Sequence, residues 1–434
     1  MEILQQSLAE LKKQVNRRTQ QATHPEVEAS VAAILADVQA NGDAALRQYS
    51  EKFDGVTLTD LQVPQAEIDA AYNNCAPELL AALKLAQRNI TSFHKKEISY
   101  GFIDNERAGV IRGQKVTPLA AVGLYVPGGT AAYPSTILMS AIPAKLAGVK
   151  KIVMVTPPQK EGINPAVLTA AKLVGIDAIY QIGGAQAIAA LAYGTETIPQ
   201  VDKIMGPGNI FVATAKKQVF GTVSIDMIAG PSEIGIIADE NAAPAQVAAD
   251  LLSQAEHDKL ARPMLVTTSL TLAQAVNVEL EKQLATLPRQ EIARASVDNQ
   301  GFIAIVADLD DAFTLMNAIA PEHLEVQVAE PMTYLAQIEN AGSVFLGSTA
   351  SEPLGDYVAG PNHILPTSGT ARFFSPLGVY DFVKRTQFIQ YTNAALQPEA
   401  SAITTLARTE GLEGHARAIE ARFPNQPCGY KSRG

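Results

Sequence analysis

The stretch from Ala178 to Ala192, Ala-Ile-Tyr-Gln-Ile-Gly-Gly-Ala-Gln-Ala-Ile-Ala-Ala-Leu-Ala, contains the pattern on which the fold is built. Its short apolar run predicts a strand over 178–182, and the run that follows predicts a helix over 185–192. Gly183 and Gly184 lie at the junction, where glycine permits a tight turn from a strand into a helix. A strand that leads at once into a helix is half of a βαβ unit and therefore indicates a parallel sheet.

The same alternation of strand and helix extends to both sides of this stretch. Upstream, residues 151–156 predict a strand and residues 166–174 a helix, and downstream the strand 203–205 precedes another helix. A second series begins at the strand 234–238. It continues with strands predicted at 264–267, 302–306, 324–328 and 343–346. We therefore predict an α/β fold with two Rossmann-like, doubly wound parallel-sheet lobes.

The two ends of the chain have a different pattern. The first hundred residues predict a helical N-terminal region, in which residues 1–20 form a short polar helix and Asn41-Gly42 ends the helix 26–40. Residues 347–372 are rich in Gly, Pro and Ser and predict a long loop, and a small helical segment follows from about residue 378. The predicted division is an N-terminal extension (1–23), a discontinuous α/β domain (24–124 with 232–377), a Rossmann-like domain (125–231) and a C-terminal segment (378–434).

Composition narrows the class of protein. The 434 residues are 47% hydrophobic, with few aromatic residues and no Trp, which favours helices packed on sheets over a β-sandwich. The net charge is −10 and no basic stripe is present, so we expect no nucleic-acid partner. Cys75 and Cys428 lie far apart, which excludes a Cys-rich zinc site and indicates a reducing compartment. With no signal peptide and no apolar run of membrane-helix length, we expect a cytoplasmic protein without a membrane partner.

Gln254 and His257 are the first candidate metal ligands. They are three residues apart on a predicted helix over 247–258 and would point to one side of it. Imidazole is a common metal ligand and an amide oxygen a weaker one, but two ligands do not hold a metal tightly. Asp356 and His415 would complete a site suited to zinc. On spacing alone, a helix face whose polar groups bind solvent or backbone remains the better interpretation.

Glu322 and His323 form a candidate acid/base pair, since a neutral imidazole accepts a proton and a carboxylate activates water. A turn with a Glu cap and a half-buried His explains the same two residues. Glycine clusters follow three predicted strands, and a dinucleotide could bind across such strand ends. The clusters are Pro127-Gly128-Gly129, Gly183-Gly184 and Gly206-Pro207-Gly208-Asn209. No G-x-G-x-x-G fingerprint is present, so ordinary strand-to-helix turns remain an equal alternative.

Eight motifs, taken together and in order, resemble those of the histidinol dehydrogenase family. They are Gly-Leu-Tyr-Val-Pro-Gly-Gly (123–129), Gly-Gly-Ala-Gln-Ala-Ile-Ala-Ala-Leu-Ala-Tyr-Gly (183–194), Gly-Pro-Gly-Asn (206–209), Ile-Asp-Met-Ile-Ala-Gly-Pro-Ser-Glu (225–233), Asp-Leu-Leu-Ser-Gln-Ala-Glu-His-Asp (250–258), Ala-Pro-Glu-His-Leu-Glu (320–325), the run 355–372 that begins Gly-Asp-Tyr-Val-Ala-Gly-Pro-Asn-His, and Glu-Gly-Leu-Glu-Gly-His (410–415). The resemblance implies a zinc-dependent, NAD-linked oxidation of L-histidinol to L-histidine through the aldehyde, the last step of histidine biosynthesis.

The resemblance also implies a role for each site residue. The zinc ligands, one zinc per subunit, would be Gln254, His257, Asp356 and His415. The substrate would contact these four residues together with Ser232, His323, His363 and Glu410. NAD would contact Tyr125, Gln186 and Asn209. His323 would take the hydroxyl proton and Glu322 would activate water, while zinc holds the amine and imidazole of histidinol.

The family further implies a homodimer in which the C-terminal segment reaches the partner's active site, so that Glu410 and His415 would act across the interface. A route through a cysteine adduct is not expected, because neither Cys75 nor Cys428 falls within a motif. Two alternatives stay open at this point. One is a relative that oxidises another amino- or sulfo-alcohol. Glu410 and His415 argue against it, because they would bind the imidazole and amine of histidinol. The other is a non-catalytic nucleotide-binding module, which would bind no metal and form no NADH.

Overall fold

The computed structural model describes residues 1–15, 24–128, 133–228 and 230–424. The chain forms two compact units. The larger unit contains residues 1–98 and 119–382, and the smaller unit contains residues 99–118 and the chain from Val383 onward. Gly129, Cys428 and residues 16–20 of the predicted first helix lie outside the described residues.

The strands are β1 (Glu2–Leu4), β2 (Phe102–Asp104), β3 (Val110–Pro118), β4 (Ala121–Tyr125), β5 (Lys151–Thr156), β6 (Ala178–Gln181), β7 (Lys203–Met205), β8 (Ser224–Ile225), β9 (Glu233–Ala238), β10 (Arg262–Thr267), β11 (Phe302–Ile305), β12 (His323–Gln327), β13 (Ser343–Leu346) and β14 (Val383–Tyr391). The helices are α1 (Leu8–Val15), α2 (Pro25–Tyr49), α3 (Gln65–Asn73), α4 (Pro77–His94), α5 (Pro134–Ala147), α6 (Pro165–Val174), α7 (Gly184–Tyr193), α8 (Ile210–Val219), α9 (Pro244–Ala255), α10 (Leu270–Leu284), α11 (Gln290–Asn299), α12 (Leu309–Ile319), α13 (Glu352–Tyr357), α14 (Asn393–Leu396), α15 (Ala400–Thr409) and α16 (Glu413–Glu420).

Two parallel sheets form the larger unit and confirm the predicted α/β fold class. One sheet has five strands in the order β6-β5-β4-β7-β8, and the other has six in the order β1-β11-β10-β9-β12-β13. Apolar clusters cover both faces of each sheet, as buried parallel sheets require. Tyr125 is the last residue of β4 and so lies at the carboxyl end of the five-stranded sheet, where α/β proteins commonly bind ligands. His323 is instead the first residue of β12, at the amino end of the six-stranded sheet.

Several local predictions were wrong. The prediction of one helix over residues 1–20 missed β1, which pairs with β11 at the edge of the six-stranded sheet. The predicted loop after residue 347 contains α13, and α11 was not predicted. Helix α9 ends at Ala255, so His257 lies in the turn beyond it. The predicted break at Gly42 is confirmed as a kink inside α2 (φ 51°, ψ −131°), a conformation that favours glycine.

The smaller unit contains an antiparallel sheet in the order β14-β3-β2, with helices α14, α15 and α16. The strand β14 was missed because its residues are nearly all exposed, which leaves no apolar alternation to indicate a strand. The four-part division of the chain stays a prediction. Among the described residues, no helix is long and apolar enough to cross a membrane.

Candidate active site

Strand β12 carries the centre of the site. Its sequence alternates, so that Leu324 and Val326 pack into an apolar cluster while His323, Glu325 and Gln327 share the opposite face. All three of these polar side chains are buried, with 5% exposure or less. Buried polar groups need partners, and α9 and α13 supply them.

His323 has one free ring nitrogen. Its Nδ1 lies 3.0 Å from the carbonyl oxygen of Glu233, which only accepts, so Nδ1 carries the proton. Its Nε2 is buried without a hydrogen-bond partner among the described residues and lies 3.8 Å from Oδ1 of Asp356. In the neutral ring Nε2 therefore holds a lone pair that faces the site, which is the geometry of a general base.

Glu322 lies beside this ring. Its Oε2 is 3.7 Å from Nδ1 of His323 and accepts a hydrogen bond of 2.9 Å from the backbone N–H of Glu233. Burial raises the pKa of Glu322 to about 8, against the attraction of His323. Burial disfavours a charged His323, but the carboxylates around it, Glu322 first, outweigh burial and raise its pKa to about 10. The raised pKa of Glu322 works against the raised pKa of His323, because a protonated, neutral Glu322 no longer attracts the imidazolium of His323. Burial is the largest cause of the raised pKa of Glu322, because a buried carboxylate is poorly solvated.

Helix α13 brings two further carboxyl groups to His323. The candidate ligand atoms of His323, Glu352 and Asp356 all lie within 4.8 Å of one another, a group that could hold a metal ion. Burial opposes ionisation of Asp356, but the neighbouring imidazoles of His323 and His363 outweigh burial and lower its pKa to about 2. Asp356 is therefore ionised at neutral pH and able to bind a cation.

Helix α9 supplies the predicted pair Gln254 and His257. Gln254 is 1% exposed, and neither polar atom of its amide has a hydrogen-bond partner among the described residues. His257 is exposed, yet desolvation by the groups around its ring lowers its pKa, while the charge of Asp356 opposes that shift. The structure thus brings His257 near Asp356. A ligand role would fit the Gln254 amide, because a buried amide without a hydrogen-bond partner is costly.

Beneath these groups lies a network of buried side chains, which we call the carboxyl network: Asp250, Ser253, Glu325, Gln327 and Glu352. Gln327 donates to Asp250 at 2.7 Å and to Glu325 at 2.8 Å. Glu325 accepts the backbone N–H of Glu352 at 2.8 Å, and the Ser253 hydroxyl donates to the Glu352 carboxylate at 2.8 Å. The network joins α9, β12 and α13, the three elements that carry the site.

A cavity of about 260 Å³ borders the site, near the lower end of the roughly 300–1,000 Å³ that is usual for small-ligand pockets. His323, Asp356 and His363 contribute to its wall. His363 is half-buried, with Nδ1 3.0 Å from the Asp356 carbonyl oxygen and Nε2 3.3 Å from the Thr136 hydroxyl. Ser232 is also half-buried and directly precedes β9. Glu410 and His415 belong to the smaller unit, where both are exposed.

The predicted cofactor residues lie at the carboxyl end of the five-stranded sheet. Tyr125 ends β4, and its hydroxyl accepts the backbone N–H of Gly184 at 3.2 Å. Gln186 is buried in the first turn of α7. Asn209 caps α8 by accepting the N–H groups of residues 211 and 212.

The loop that carries Asn209 is held by a buried ion pair. Lys216 pairs with Asp226, and the two side chains are 3% and 2% exposed. Lys216 also donates to the Gly206 carbonyl at 2.9 Å, and Asp226 accepts the Gly206 N–H at 2.7 Å. At Gly206 (φ 113°) a Cβ atom would lie 2.1 Å from the Tyr125 carbonyl oxygen, so only glycine fits.

Sequence reasoning missed Glu352 and the carboxyl network. Glu352 precedes Asp356 by four residues, which is a helical spacing. The spacing was overlooked because the segment 347–372 was predicted to be a loop. The alternation of His323, Glu325 and Gln327 along one strand face was present in the sequence and could have indicated the network.

Comparison with known proteins agrees with the resemblance seen in the motifs. A family model described as histidinol dehydrogenase matches residues 16–423. A protein named histidinol dehydrogenase from Lactiplantibacillus plantarum is 68% identical over 98% of this chain and 99% of its own length. Another protein of that name, from Listeria monocytogenes serotype 4b, is 59% identical over 98% of this chain and 100% of its own length. The crystal structure of histidinol dehydrogenase from Elizabethkingia anophelis has 40% identity and a TM-score of 0.93, with 98% of each chain covered.

Proposed function

Since the chain belongs to the histidinol dehydrogenase family, we propose that it oxidises L-histidinol to L-histidine through L-histidinaldehyde, with NAD as acceptor and zinc as a bound metal. The observation that carries the proposal is the unpartnered Nε2 of His323, which faces the Asp356 carboxylate beside buried Glu322. A base, a neighbouring carboxylate that could activate water and a candidate cation site beside that base suit an alcohol-to-acid oxidation.

The residues at the site fit a zinc ion. Asp356 is an ionised carboxylate, His257 a neutral imidazole near it, and Gln254 an amide without a hydrogen-bond partner among the described residues. His415 would be the fourth ligand, contributed by a second copy of the chain. When bound, zinc would hold the amine and imidazole of histidinol, and NAD would accept the electrons.

His323 and Glu322 divide the proton chemistry between the two oxidation steps. Nε2 of His323 accepts the hydroxyl proton of the alcohol, while Nδ1 stays bonded to the Glu233 carbonyl and fixes the ring. Glu322 then accepts a proton from the water that attacks the aldehyde, for which a pKa raised toward neutrality suits it. His323 acts again as base on the aldehyde hydrate. Ser232 and His363 would contact the substrate, with Glu410 added from the partner.

Three further features belong to this proposal: a homodimer that shares its active sites, NAD contacts at Tyr125, Gln186 and Asn209, and a cytoplasmic location. The homodimer rests on the resemblance of the motif at 410–415, by which His415 of a second copy would complete the ligand set of Gln254, His257 and Asp356. The predicted four-part division of the chain, with the C-terminal segment 378–434 serving the partner, is retained here.

The test measures NADH and histidine from zinc-loaded protein supplied with histidinol and NAD. We expect two NADH for each histidine, and one for each histidine when the aldehyde is supplied. The matched control is the His323→Ala variant, loaded with zinc in the same way. Formation of NADH from other amino-alcohols but not from histidinol would instead favour a relative with another substrate. No NADH from any substrate would contradict the proposal.

A further inference from the structure

A π-helical turn follows α2 and ends at a half-buried carboxylate. Residues Ser50–Asp54 form this turn, and Gly55 ends it in the left-handed conformation (φ 65°). Single π-helical turns are rare and are frequently found at functional sites. The turn contains two buried polar atoms without a hydrogen-bond partner among the described residues, Oγ of Ser50 and Oδ2 of Asp54.

The chain after this turn fixes where Asp54 lies. Residues 61–63 run antiparallel beside β6, with the Leu61 carbonyl accepting the Gln181 N–H at 2.7 Å and the Val63 N–H donating to Ile179 at 2.8 Å. Because this pairing is antiparallel, residues before Leu61 extend toward the carboxyl end of the sheet. Gly55 lies beside Lys160, in the loop that follows β5. Asp54 therefore reaches the edge at which Tyr125 and Gly184 lie.

The charge of Asp54 also acts on one of the predicted cofactor contacts. Burial raises the pKa of Tyr125, and the charge of Asp54 raises it further. The phenol of Tyr125 is already bonded to the Gly184 N–H at the start of α7. Burial alone raises the pKa of Asp54 to about 6, and no other group in the described chain offsets this cost.

An unpartnered carboxylate oxygen at this edge calls for a hydrogen-bond donor that none of the described residues supplies. We infer that Asp54 accepts hydrogen bonds from a ribose hydroxyl of the dinucleotide and so helps to select NAD over its 2′-phosphorylated form. The inference rests on the proposed use of NAD. A carboxylate binds neutral hydroxyls and repels a phosphate, which is how acidic side chains in other dinucleotide sites act. Asp54 is thus a binding and specificity residue, supplied by the N-terminal helical region.

Calorimetric titration with NAD, ADP-ribose and NADP tests the inference without turnover. Asp54→Ala should weaken the binding of NAD and of ADP-ribose by about tenfold, which corresponds to the loss of one hydrogen bond to a charged group. Asp54→Asn keeps an acceptor oxygen, so its affinity for both ligands should fall less. Both variants should narrow the preference for NAD over NADP and leave the KM for histidinol at saturating NAD unchanged.

The matched control is Asp60→Asn, the same change of charge at an exposed position on the same segment. A purely structural role is distinguished by thermal unfolding, because loss of a structural carboxylate would lower the Tm, whereas removal of an unpaired one should not. Binding of NAD and ADP-ribose within twofold of the unmodified protein would overturn the inference alone. Failure of the unmodified protein to bind NAD would overturn the proposed function and this inference with it.

Discussion

Glu325 accepts the backbone N–H of Glu352 at 2.8 Å, so a strand residue beneath the site holds the first residue of the helix that carries Asp356. Burial, followed by repulsion from Asp250, raises the pKa of Glu325 to about 8, which favours a neutral carboxyl that donates as well as accepts. Because its hydrogen bonds join α9, β12 and α13, the network supports the ligands of the site.

The first prediction concerns this support. Glu325→Leu leaves the Glu352 N–H unsatisfied and frees α13, so zinc affinity should fall by about 10–100-fold, as is usual when a residue that orients metal ligands is lost. Glu325→Gln preserves the acceptor and should restore most of the affinity. Zinc retention is measured by competition with a chromophoric chelator.

The control for the first prediction is Ser296→Ala, which removes a buried hydrogen bond to Ala261 on the same sheet. It should cost stability and leave zinc affinity unchanged. Equal zinc affinity in Glu325→Leu and in the unmodified protein would show that Glu325 does not position the metal ligands of α13.

The second prediction separates the two proton-transfer residues. His323→Ala should keep its zinc and lose about 10²–10⁴ in turnover, because the base is gone. Glu322→Gln should still oxidise the alcohol but hydrate the aldehyde slowly, so that the first turnover yields one NADH rather than two. Rapid-mixing absorbance and metal analysis measure both effects. Loss of zinc from His323→Ala would make that residue a ligand instead of the base.

The third prediction concerns the loop from Gly206 to Asn209. Lys216→Met leaves the Asp226 charge buried and unpaired, which should lower the free energy of unfolding by roughly 3–5 kcal/mol. The double variant Lys216→Met/Asp226→Leu should recover much of this stability but still bind NAD weakly, because nothing then holds Gly206. Denaturant unfolding and NAD titration measure the two quantities. Unchanged NAD affinity in the double variant would show that the ion pair serves stability alone.

The fourth prediction concerns the pH dependence of stability through Asp54. Its pKa is about 6 in the folded protein, against an ordinary value of 3.8. Below pH ~4 the carboxyl is protonated in both states and contributes nothing. As the pH rises to about 6, the unfolded chain ionises first, which lowers the free energy of unfolding, and the full penalty applies above this range.

Asp54→Asn removes this penalty, so without cofactor it should be more stable than the unmodified protein at pH 7 and equal to it near pH 4. Tyr125, the titratable group that responds to Asp54, ionises well above this range. Denaturant unfolding at several pH values measures the difference. A variant that is less stable at pH 7 would mean that Asp54 has a folded-state partner.

The fifth prediction concerns shared active sites. His415→Ala and His323→Ala should each be inactive alone. Mixed after dissociation and reassociation, they should recover about a quarter of full activity, since half of the dimers are mixed and each of these has one intact site. Subunit exchange is followed by mass spectrometry. Exchange without recovered activity would place His415 and His323 of one site in the same chain.

Local pattern in the sequence determined the two parallel sheets, because a strand that runs straight into a helix can return only to a parallel neighbour. Residues 178–192 and the helices capped by Asp308 and Asn209 follow from such short-range rules. The motifs also predicted Glu322, His323 and Asp356 as site residues, and the chemical type of each side chain limits the role that it can have in any fold.

Contacts between distant segments were decided by the tertiary structure alone. Folding brings His257 into the electrostatic range of Asp356, and Tyr125 into that of Asp54. Burial in the folded protein then shifts the pKa values of His257 and Tyr125, which no local sequence pattern could indicate. Strand β14 is defined by its pairing with β3 and not by any pattern of its own. The sequence determined which chemistry the residues can perform, and packing determined which of them face one another, because desolvation and contact arise only when separate segments meet.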